Sequence, residues 1–315
     1  MKVTAPAVSR LLVFAGVAAV VALLPFQLSG YHQSLGARVG VYVLAVLGLN
    51  ILTGYTGQIS IGHGAFMAIG GYATAIMSHY HHTNLLATLP LAFAVTFGFG
   101  LLVGIPALRF SGVYLALATF ALAVSVPQLP YKFSKFTGGS DGIRTSEDVS
   151  SLWLYGVSWT CVAVSFLLAW LLLRGRVGRA FRALRDSPVA AASSGVALPI
   201  YKTLAFGVSA AFAGVAGSLF VLVTNGYAQP NEFGVLLSLE ILIGAAVAGL
   251  GSLWGVLVGG LFIGLLPTVS ASAPVIGSGH GQDVVFGLIV ILVMLLLPNG
   301  FAGLLGRLSR LRAQA

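Results

Sequence analysis

Hydrophobic residues occupy this chain in long runs that are separated by short polar stretches. Ten windows of nearly continuous apolar sequence come close to the roughly 20 residues that a helix needs to cross ~30 Å of hydrocarbon. They lie at about residues 11–28, 37–53, 64–81, 85–106, 112–130, 152–173, 203–223, 235–250, 253–270 and 284–298. The pattern predicts an all-α polytopic membrane protein with about ten transmembrane helices, forming a single membrane domain over residues 1–315.

Composition agrees with a membrane protein. The chain is 58% hydrophobic and 7% charged, with a mean hydropathy of +0.99, whereas soluble domains are about 25% charged. A net charge of +9 would fit nucleic acid binding, but the basic residues are scattered at the ends of apolar runs. We therefore expect the lipid bilayer as a partner and no nucleic acid. The single cysteine, Cys161, lies within an apolar run and provides no disulfide framework or cysteine-based metal site.

The distribution of Lys and Arg predicts the orientation. The first apolar run follows Lys2 and Arg10 as in a signal peptide, but no small-residue cleavage site follows it, so we expect a retained first helix. Ten helices and an inner N-terminus place twelve basic residues inside, namely Lys2, Arg10, Arg109, Arg174, Arg176, Arg179, Arg182, Arg185, Lys202, Arg307, Arg310 and Arg312. The four placed outside are Arg38, Lys132, Lys135 and Arg144. Because cytoplasmic loops are rich in Lys and Arg, both termini are predicted to be cytoplasmic.

The most polar stretch, residues 174–202, separates two long apolar runs and is predicted to hold two short helices. In the first helix, Val177, Phe181 and Leu184 form an apolar face. The opposite face carries the basic residues Arg179, Arg182 and Arg185. A basic amphipathic helix of this kind suits the surface of an anionic membrane leaflet.

The second helix of this stretch has its own sequence signals. Asp186 or Ser187 can cap its N-terminus, and Pro188 fits the first helical position, where no N–H is needed. Gly195 can end it with a positive φ, so about two turns of helix are predicted over residues 188–194. The alternative is that the whole stretch is an ordinary basic cytoplasmic loop.

A glycine-rich segment, Leu52–Phe66, interrupts a region that would otherwise be continuous apolar helix. Each glycine weakens a helix by about 1 kcal/mol, and backbone freed at membrane depth is tolerated only where protein or a water-filled cavity satisfies it. The segment supplies five hydrogen-bonding side chains as candidates for a translocation pathway: Tyr55, Thr56, Gln58, Ser60 and His63. The alternative is close helix packing, with His63 as a hydrogen-bonded interior histidine.

A second interruption, Val223–Gly234, lies at the corresponding place in the second half of the chain. Interrupted segments at matching positions are typical of transporters with inverted repeats, so the second to fifth helices are predicted to match the seventh to tenth in opposite orientation. Glu240 is the only carboxylate within a predicted helix and becomes a further pathway candidate, although it lies only ~8 Å from the helix start. Glycines at i, i+4 spacing over residues 255–264 favour close helix packing.

The sequence lacks the motifs of several enzyme classes. No lysine follows a glycine, so there is no Walker A loop, and no catalytic arrangement of Ser, His and Asp or paired carboxylates stands out. The triplet His79, His81 and His82 has neither the spacing nor the acidic neighbours of a metal site. The chain is therefore predicted to be no enzyme, to bind no metal or cofactor, and to depend on another chain for any use of ATP. A membrane-embedded enzyme is the least favoured class.

Several segments together resemble the LivM-type permease subunits of branched-chain amino acid ABC importers. They are GLNILTGYTGQISIGHGAFMAIGGY, ALRFSGVYLALATFAL, TGGSDGI, RALRDSPVAAASSGVALPIYKTLAFGVSAAFAGVAGSL and SLEILIGAAVAGLGSLWGVLVGG. The resemblance covers about residues 40 to 300. It implies a bacterial inner-membrane permease that works with a related second permease, two cytoplasmic ATPases carrying ATP and Mg²⁺, and a periplasmic or lipid-anchored substrate-binding protein.

The resemblance also implies that residues 174–202 contact the ATPase. Ala190, Ala191 and Gly195 stand where the importer family has the small residues of its coupling motif, and Arg182, Arg185, Asp186 and Pro188 complete the coupling set. Related sequences commonly carry an acidic residue where this chain has Pro188, which leaves Asp186 as the only acid of the loop. The implied cargo is a branched-chain amino acid, with urea, short amides or other amino acids as alternatives. From another class, a stand-alone ion-coupled carrier stays open.

Overall fold

The computed structural model describes residues 24–146, 149–271, 281–296, 300, 301 and 303, and they are almost entirely helical. The longer helices are α1 (Gly30–Leu49), α2 (His63–His81), α3 (Leu85–Ala107), α4 (Val113–Ser125), α5 (Ser151–Arg174), α6 (Arg176–Asp186), α7 (Pro188–Ser193), α8 (Leu198–Val223), α9 (Val235–Ala248), α10 (Leu253–Ala271) and α11 (Gly281–Leu296). A π-helical segment, Asn50–Tyr55, continues α1. Short 3₁₀ or α-helical turns cover Leu24–Gln27, Val126–Gln128, Leu129–Lys132, Ser134–Thr137, Gly139–Asp141 and Pro230–Phe233.

One small sheet departs from the all-α prediction. Strands β1 (Ile143–Arg144) and β2 (Tyr227–Ala228) pair antiparallel, with Ile143 opposite Ala228 and Arg144 opposite Tyr227. The pairing joins the segment after α4 to the segment after α8, both of which lie between predicted apolar windows. We call this end of the helix bundle the β end, and the opposite end, which carries α6 and α7, the α6 end.

Nine of the ten predicted apolar windows coincide with helices of the structure. Six helical segments of the described residues are long and apolar enough to cross a membrane: Gly30–Tyr55, Leu85–Ala107, Val113–Lys132, Ser151–Arg174, Leu198–Val223 and Pro230–Ala248. The chain is therefore a polytopic, mainly helical membrane protein. The first window and both termini lie largely or wholly outside the described residues, so the count of ten crossings and the position of the termini stay predictions.

Helices α1 and α8 form the centre of the bundle. Both are buried along most of their length. α8 packs against α2 and α3, whereas α1 packs against α5, α8 and α10. The two central helices therefore carry most of the tertiary structure, and the helices around them expose apolar side chains such as Leu102, Leu167 and Leu236 to the surroundings.

Glycines allow the central helices to approach their neighbours closely. A Cβ atom on Gly217 of α8 would clash with the Met67 carbonyl oxygen of α2, and one on Gly70 would clash with the backbone of Gly214. In α10, a Cβ on Gly260 would clash with the backbone of Val43 in α1, as the glycine spacing predicted. Close backbone contact of this kind is the usual basis of helix association in membranes.

We expect Gly217→Ala to destabilise the folded protein by about 1–3 kcal/mol, because the added methyl group meets a carbonyl that cannot rotate away. Gly98→Ala in α3 is the matched control, since a Cβ there meets nothing within 4 Å and the substitution favours the helix by up to ~1 kcal/mol. The thermal unfolding midpoints of the purified variants give the comparison. Equal midpoints for Gly217→Ala and the wild type would contradict the close α2–α8 contact.

Candidate functional site

The second helix of the polar stretch has the predicted form. Pro188 is its first residue, and the Ser187 hydroxyl caps it by accepting from the Ala190 N–H at 3.3 Å. Gly195 has φ +82°. Its N–H donates to the Ala192 carbonyl at 3.0 Å and that of Val196 donates to Ala191 at 3.0 Å, which is the Schellman arrangement. Of the two candidate caps, the structure selects Ser187, and Asp186 is the exposed last residue of α6.

Helix α7 presents an exposed surface at the α6 end. Pro188 and Ala190 are exposed, and the side chain of Val189 is 81% exposed, whereas Ala191 is buried against the bundle. Next to α7 lies a cavity of about 450 Å³. Its walls are Leu108, Ala192, Val196, Ala197, Leu198, Pro199 and Lys202. The segment therefore combines a rigid, well-capped helix with an apolar concave surface beside it.

Helix α6 buries its apolar face, and the three arginines predicted on its opposite face differ in their hydrogen bonds. Phe181 and Leu184 are fully buried, as the amphipathic pattern predicted. Arg182 donates to the Leu173 carbonyl at 3.3 Å, and Arg185 donates through Nη1 to the Gly54 carbonyl at 2.7 Å. Arg179 is exposed and has no side-chain hydrogen bond among the described residues. Two of the three arginines are therefore bound to backbone carbonyls, and Arg185 links α6 to the glycine-rich segment.

Arg185 is part of a set of contacts that we call the α6 junction, formed by Arg185, Asn50, Gly54 and the α9–α10 turn at Gly251. The Asn50 amide donates to the Ser252 carbonyl at 2.9 Å and accepts from the Gly251 N–H at 2.8 Å. A Cβ on Gly251 would clash with the Arg185 guanidinium. The α6 junction therefore connects α6 to the C-terminal ends of both α1 and α9.

The glycine-rich segment breaks the helix where the sequence predicted. Regular α1 ends at Leu49, six residues are π-helical, and Gly57 has φ +72°. The Thr56 hydroxyl donates to the Leu52 carbonyl, the Gln58 amide donates to Thr56 Oγ1 at 2.9 Å, and the Thr53 hydroxyl donates to the Gln58 carbonyl. The polar side chains here serve mainly to satisfy the freed backbone, as membrane depth requires.

Helix α2 begins inside the bundle. Nε2 of His63 lies 2.9 Å from Ser209 Oγ, and the Ser209 hydroxyl donates to the Gly48 carbonyl at 2.7 Å. Ser209 lies 11 residues into α8, about 16 Å along that helix. Because the one hydroxyl proton of Ser209 goes to Gly48, Nε2 of His63 must be the donor. Nδ1 is then an acceptor, and it is buried without a partner among the described residues.

The two interruptions meet at the first turns of α2 and α9. The Gly64 N–H donates to Ser238 Oγ at 2.8 Å, and a Cβ on Gly64 would lie about 3.0 Å from the carbonyl oxygens of Phe233 and Gly234. On the other side, the Ile61 N–H donates to Thr119 Oγ1 at 2.9 Å. Side chains of α4 and α9 therefore satisfy donors that the start of α2 leaves free.

The predicted pathway residues make two separate sets of contacts. Thr56, Gln58, Ser60 and His63 are buried and Tyr55 is half-buried around the glycine-rich segment. Glu240 lies toward the β end, where its Oε2 accepts from the Tyr42 hydroxyl at 3.0 Å. It lines a cavity of about 600 Å³. None of the other five predicted pathway residues is among the described residues that line this cavity. We call this space the Arg38 cavity, after the arginine in its wall.

Sequence reasoning did not identify Asn50 or Arg38 as site residues. Asn50 was available as an isolated amide within an apolar window, and Arg38 as an isolated cation at the start of one. Both are polar residues within helical segments of membrane-spanning length. A polar residue at such a position indicates a specific partner, but the pattern does not name that partner.

Comparison with known proteins agrees with this architecture. The family described as "Branched-chain amino acid transport system / permease component" matches residues 33–296. The LivM permease of Salmonella typhimurium is 32% identical over 270 residues, covering 76% of this chain and 63% of that protein. The LivH permease of Escherichia coli is 26% identical over 83% of this chain and 91% of its own length.

A third relative comes from another organism. The BraD permease of Pseudomonas aeruginosa is 28% identical over 87% of this chain and 96% of that protein. No solved structure matches the chain. The chain spans about 63% of the length of the LivM relatives. The family match begins within α1 and extends to the end of α11. On this evidence the chain belongs to the family of permease components of branched-chain amino acid transport systems.

Proposed function

We propose that this chain is the membrane permease subunit of an ATP-binding-cassette importer that carries branched-chain amino acids across the bacterial inner membrane. The names of the LivM, LivH and BraD relatives support the cargo. The observation that carries the proposal is the hydrogen bond from Arg185 to the Gly54 carbonyl. It joins a surface helix to the interrupted membrane helix, which is the connection that an external ATPase needs in order to act on the membrane segment.

The partners follow from this role. A related second permease completes the membrane unit, as the separate LivM and LivH relatives suggest. Two cytoplasmic ATPases bind ATP and Mg²⁺, and a periplasmic or lipid-anchored protein delivers the substrate. This chain contributes one permease domain over residues 1–315, with no cofactor of its own. Urea, amides and other amino acids are alternative cargoes, and a stand-alone ion-coupled carrier is the alternative class.

Ten crossings in two inverted halves account for the packing pattern. In this arrangement α1, α2, α3 and α4 correspond to α8, α9, α10 and α11. The packing of α8 on α3 then corresponds to that of α1 on α10, and the packing of α2 on α3 corresponds to that of α9 on α10. Each half also has one interruption before its second helix, and the first turns of these two helices meet at Gly64 and Ser238. The arrangement supports alternating access by rocking of the halves.

The ATPase contacts the α6 end through α7. Pro188, Val189 and Ala190 form the exposed contact, and Gly195 fixes the direction in which the chain leaves it. Asp186 and Arg182 flank this surface. A push on α7 reaches α6, with which it is in direct contact, and passes through Arg185 to Gly54. Tyr55, Thr56, Gln58, Ser60 and His63 belong to the interrupted segment that rearranges when the halves rock.

The α6 end and both termini lie in the cytoplasm, and the β end lies outside. Single-cysteine labelling in a Cys161→Ala background tests this orientation. An impermeant maleimide added to intact spheroplasts is expected to label Ser140→Cys and to leave Arg179→Cys unlabelled until the membrane is opened. Labelling of Arg179→Cys from outside would reverse the proposed orientation.

An importer and a stand-alone carrier differ in their subunits. We expect the tagged chain, expressed with the neighbouring subunits of its transport system, to bring a second permease and ATPase subunits through detergent extraction. In proteoliposomes the complex is expected to take up leucine only with ATP and the binding protein. Uptake by this chain alone, driven by an ion gradient, would instead establish the carrier.

The α6 junction predicts a specific role for one arginine. Arg185→Gln removes a charge-assisted hydrogen bond worth on the order of 1–2 kcal/mol at a partly exposed site. We expect stimulation of ATP hydrolysis by the loaded binding protein to fall at least fivefold, while basal hydrolysis and subunit assembly stay within twofold of wild type. Arg179→Gln is the control, because it removes an equal charge without a hydrogen bond. Equal losses in both variants would indicate a general electrostatic role for the loop.

A further inference from the structure

The Arg38 cavity lies between α1, the end of α8 and the start of α9, and its volume is about 600 Å³. Three charged side chains line it, Arg38, Glu232 and Glu240, and its apolar wall includes Phe220, Leu236 and Leu237. The volume is within the range of about 300–1,000 Å³ that is common for small-molecule sites. Neither the family description nor the sequence motifs assign a ligand to this space.

The charged side chains of the cavity have different partners. The guanidinium carbon of Arg38 lies 5.9 Å from the centre of the Tyr42 ring, and Tyr42 donates to Oε2 of Glu240 at 3.0 Å. Within the part of the chain that the structure describes, Arg38 forms no ion pair with either carboxylate. Oε2 of Glu232 is shielded from solvent and lacks a hydrogen-bond partner among the described residues. Charged groups within a membrane protein are costly unless they are paired, so this arrangement calls for a ligand with complementary charges.

We propose that the Arg38 cavity binds the zwitterion of an α-amino acid with an apolar side chain on its way across the membrane. Arg38 receives the α-carboxylate, since its planar guanidinium offers paired N–H donors that match a carboxylate. The α-ammonium group lies between the carboxylates of Glu232 and Glu240. The side chain of the substrate lies against Phe220, Leu236 and Leu237. The inference rests on the proposed function and adds the place of a substrate site in the membrane domain and the residues that select the substrate there.

Tyr42 positions Glu240 in this site. Its hydroxyl occupies one carboxylate oxygen, Oε2, and so leaves Oε1 for the ammonium group. Its ring lies within cation–π distance of the Arg38 guanidinium. An uncharged cargo such as urea or a short amide would leave all three charges unpaired, so the cavity favours amino acids over the alternative cargoes.

The test measures equilibrium binding of radiolabelled L-leucine to the purified permease–ATPase complex in nanodiscs, without the binding protein. Wild type is expected to bind L-leucine saturably and to bind L-leucinamide, which lacks the carboxylate, at least tenfold more weakly. Arg38→Gln and Glu240→Gln are each expected to weaken L-leucine binding at least tenfold. Arg38→Lys keeps the positive charge, so we expect its affinity for L-leucine to fall less than that of Arg38→Gln. Glu240→Gln retains an oxygen that accepts from Tyr42. Weaker leucine binding in this variant therefore results from the lost charge and not from a disturbed fold.

Arg109→Gln is the matched control, because Arg109 is an exposed cation at the α6 end and its loss is expected to leave binding unchanged. ATP hydrolysis by each variant complex, stimulated by the loaded binding protein, separates the two proposals. A variant of Arg38 or Glu240 that keeps stimulated ATP hydrolysis but no longer binds L-leucine supports the proposed site. Wild-type leucine binding in both Arg38→Gln and Glu240→Gln, no saturable binding in wild type, or equal binding of L-leucinamide would each overturn it. If the wild-type complex contains no ATPase and takes up no leucine, the proposed function itself fails.

Discussion

Backbone groups that leave a helix inside a membrane need hydrogen-bond partners from the protein, because lipid offers none. This constraint explains the polar residues of the interrupted segment between α1 and α2. Thr53, Thr56 and Gln58 satisfy the segment locally, whereas Thr119 and Ser238 reach in from other helices. The break is therefore held by side chains of α4 and α9. A rearrangement of α4 or α9 must therefore change the hydrogen bonds of the break, and a change in the break must alter its contacts with α4 and α9.

Close backbone contact supplies the second requirement. Serine and glycine at the α2–α8 crossing allow Ser218 to donate to the Gly70 carbonyl at 3.1 Å while Thr74 donates to Ser218 at 2.9 Å. Lipid is as apolar as leucine, so association of membrane helices depends on such contacts and not on hydrophobic burial. The rigid α2–α8 pair gives the interrupted segment a fixed support.

The sequence was sufficient where structure is decided locally. Apolar runs located the helices, and Ser187, Pro188 and Gly195 determined the cap, start and end of α7 through contacts within nine residues. The π-helical turn at Asn50–Tyr55 was not predicted, because its composition does not differ from that of an ordinary apolar helix with glycines. The partner of Arg185 was missed for another reason. The basic face of α6 indicated an anionic membrane surface. Only the packing of α6 against the π-helical segment shows that Arg185 reaches Gly54, 131 residues away in sequence.

Long-range pairing also explains why the pathway candidates divide into two groups. Glu240 was grouped with the glycine-rich segment because both contain polar groups within apolar sequence, a criterion that contains no information on distance. The structure places Glu240 beside Tyr42 instead, and it places its neighbour Glu232 in the same cavity wall. Polar residues in a membrane sequence therefore indicate that partners exist, and the tertiary structure decides which residues they are.

One arginine, Arg185, contacts the ends of the two helices that carry Arg38 and Glu240, two of the three charged residues of the Arg38 cavity. Arg38 and Tyr42 lie on α1, whose π-helical continuation includes Gly54, and Glu240 lies on α9, which ends at Ala248 and is followed by the turn that contains Gly251. Arg185 binds the first of these ends and packs against the second. Gly54 is 16 residues from Arg38, about 24 Å along a helix, and buried helices move as units because packed interiors resist deformation. In the importer that we propose, a displacement of α6 acts through these two contacts on both walls of the cavity, and it separates the cation on α1 from the carboxylate on α9 when the two helices move by different amounts. In that proposal the ATPase need not contact the proposed substrate site, because separating those two charges is enough to release a zwitterion held between them.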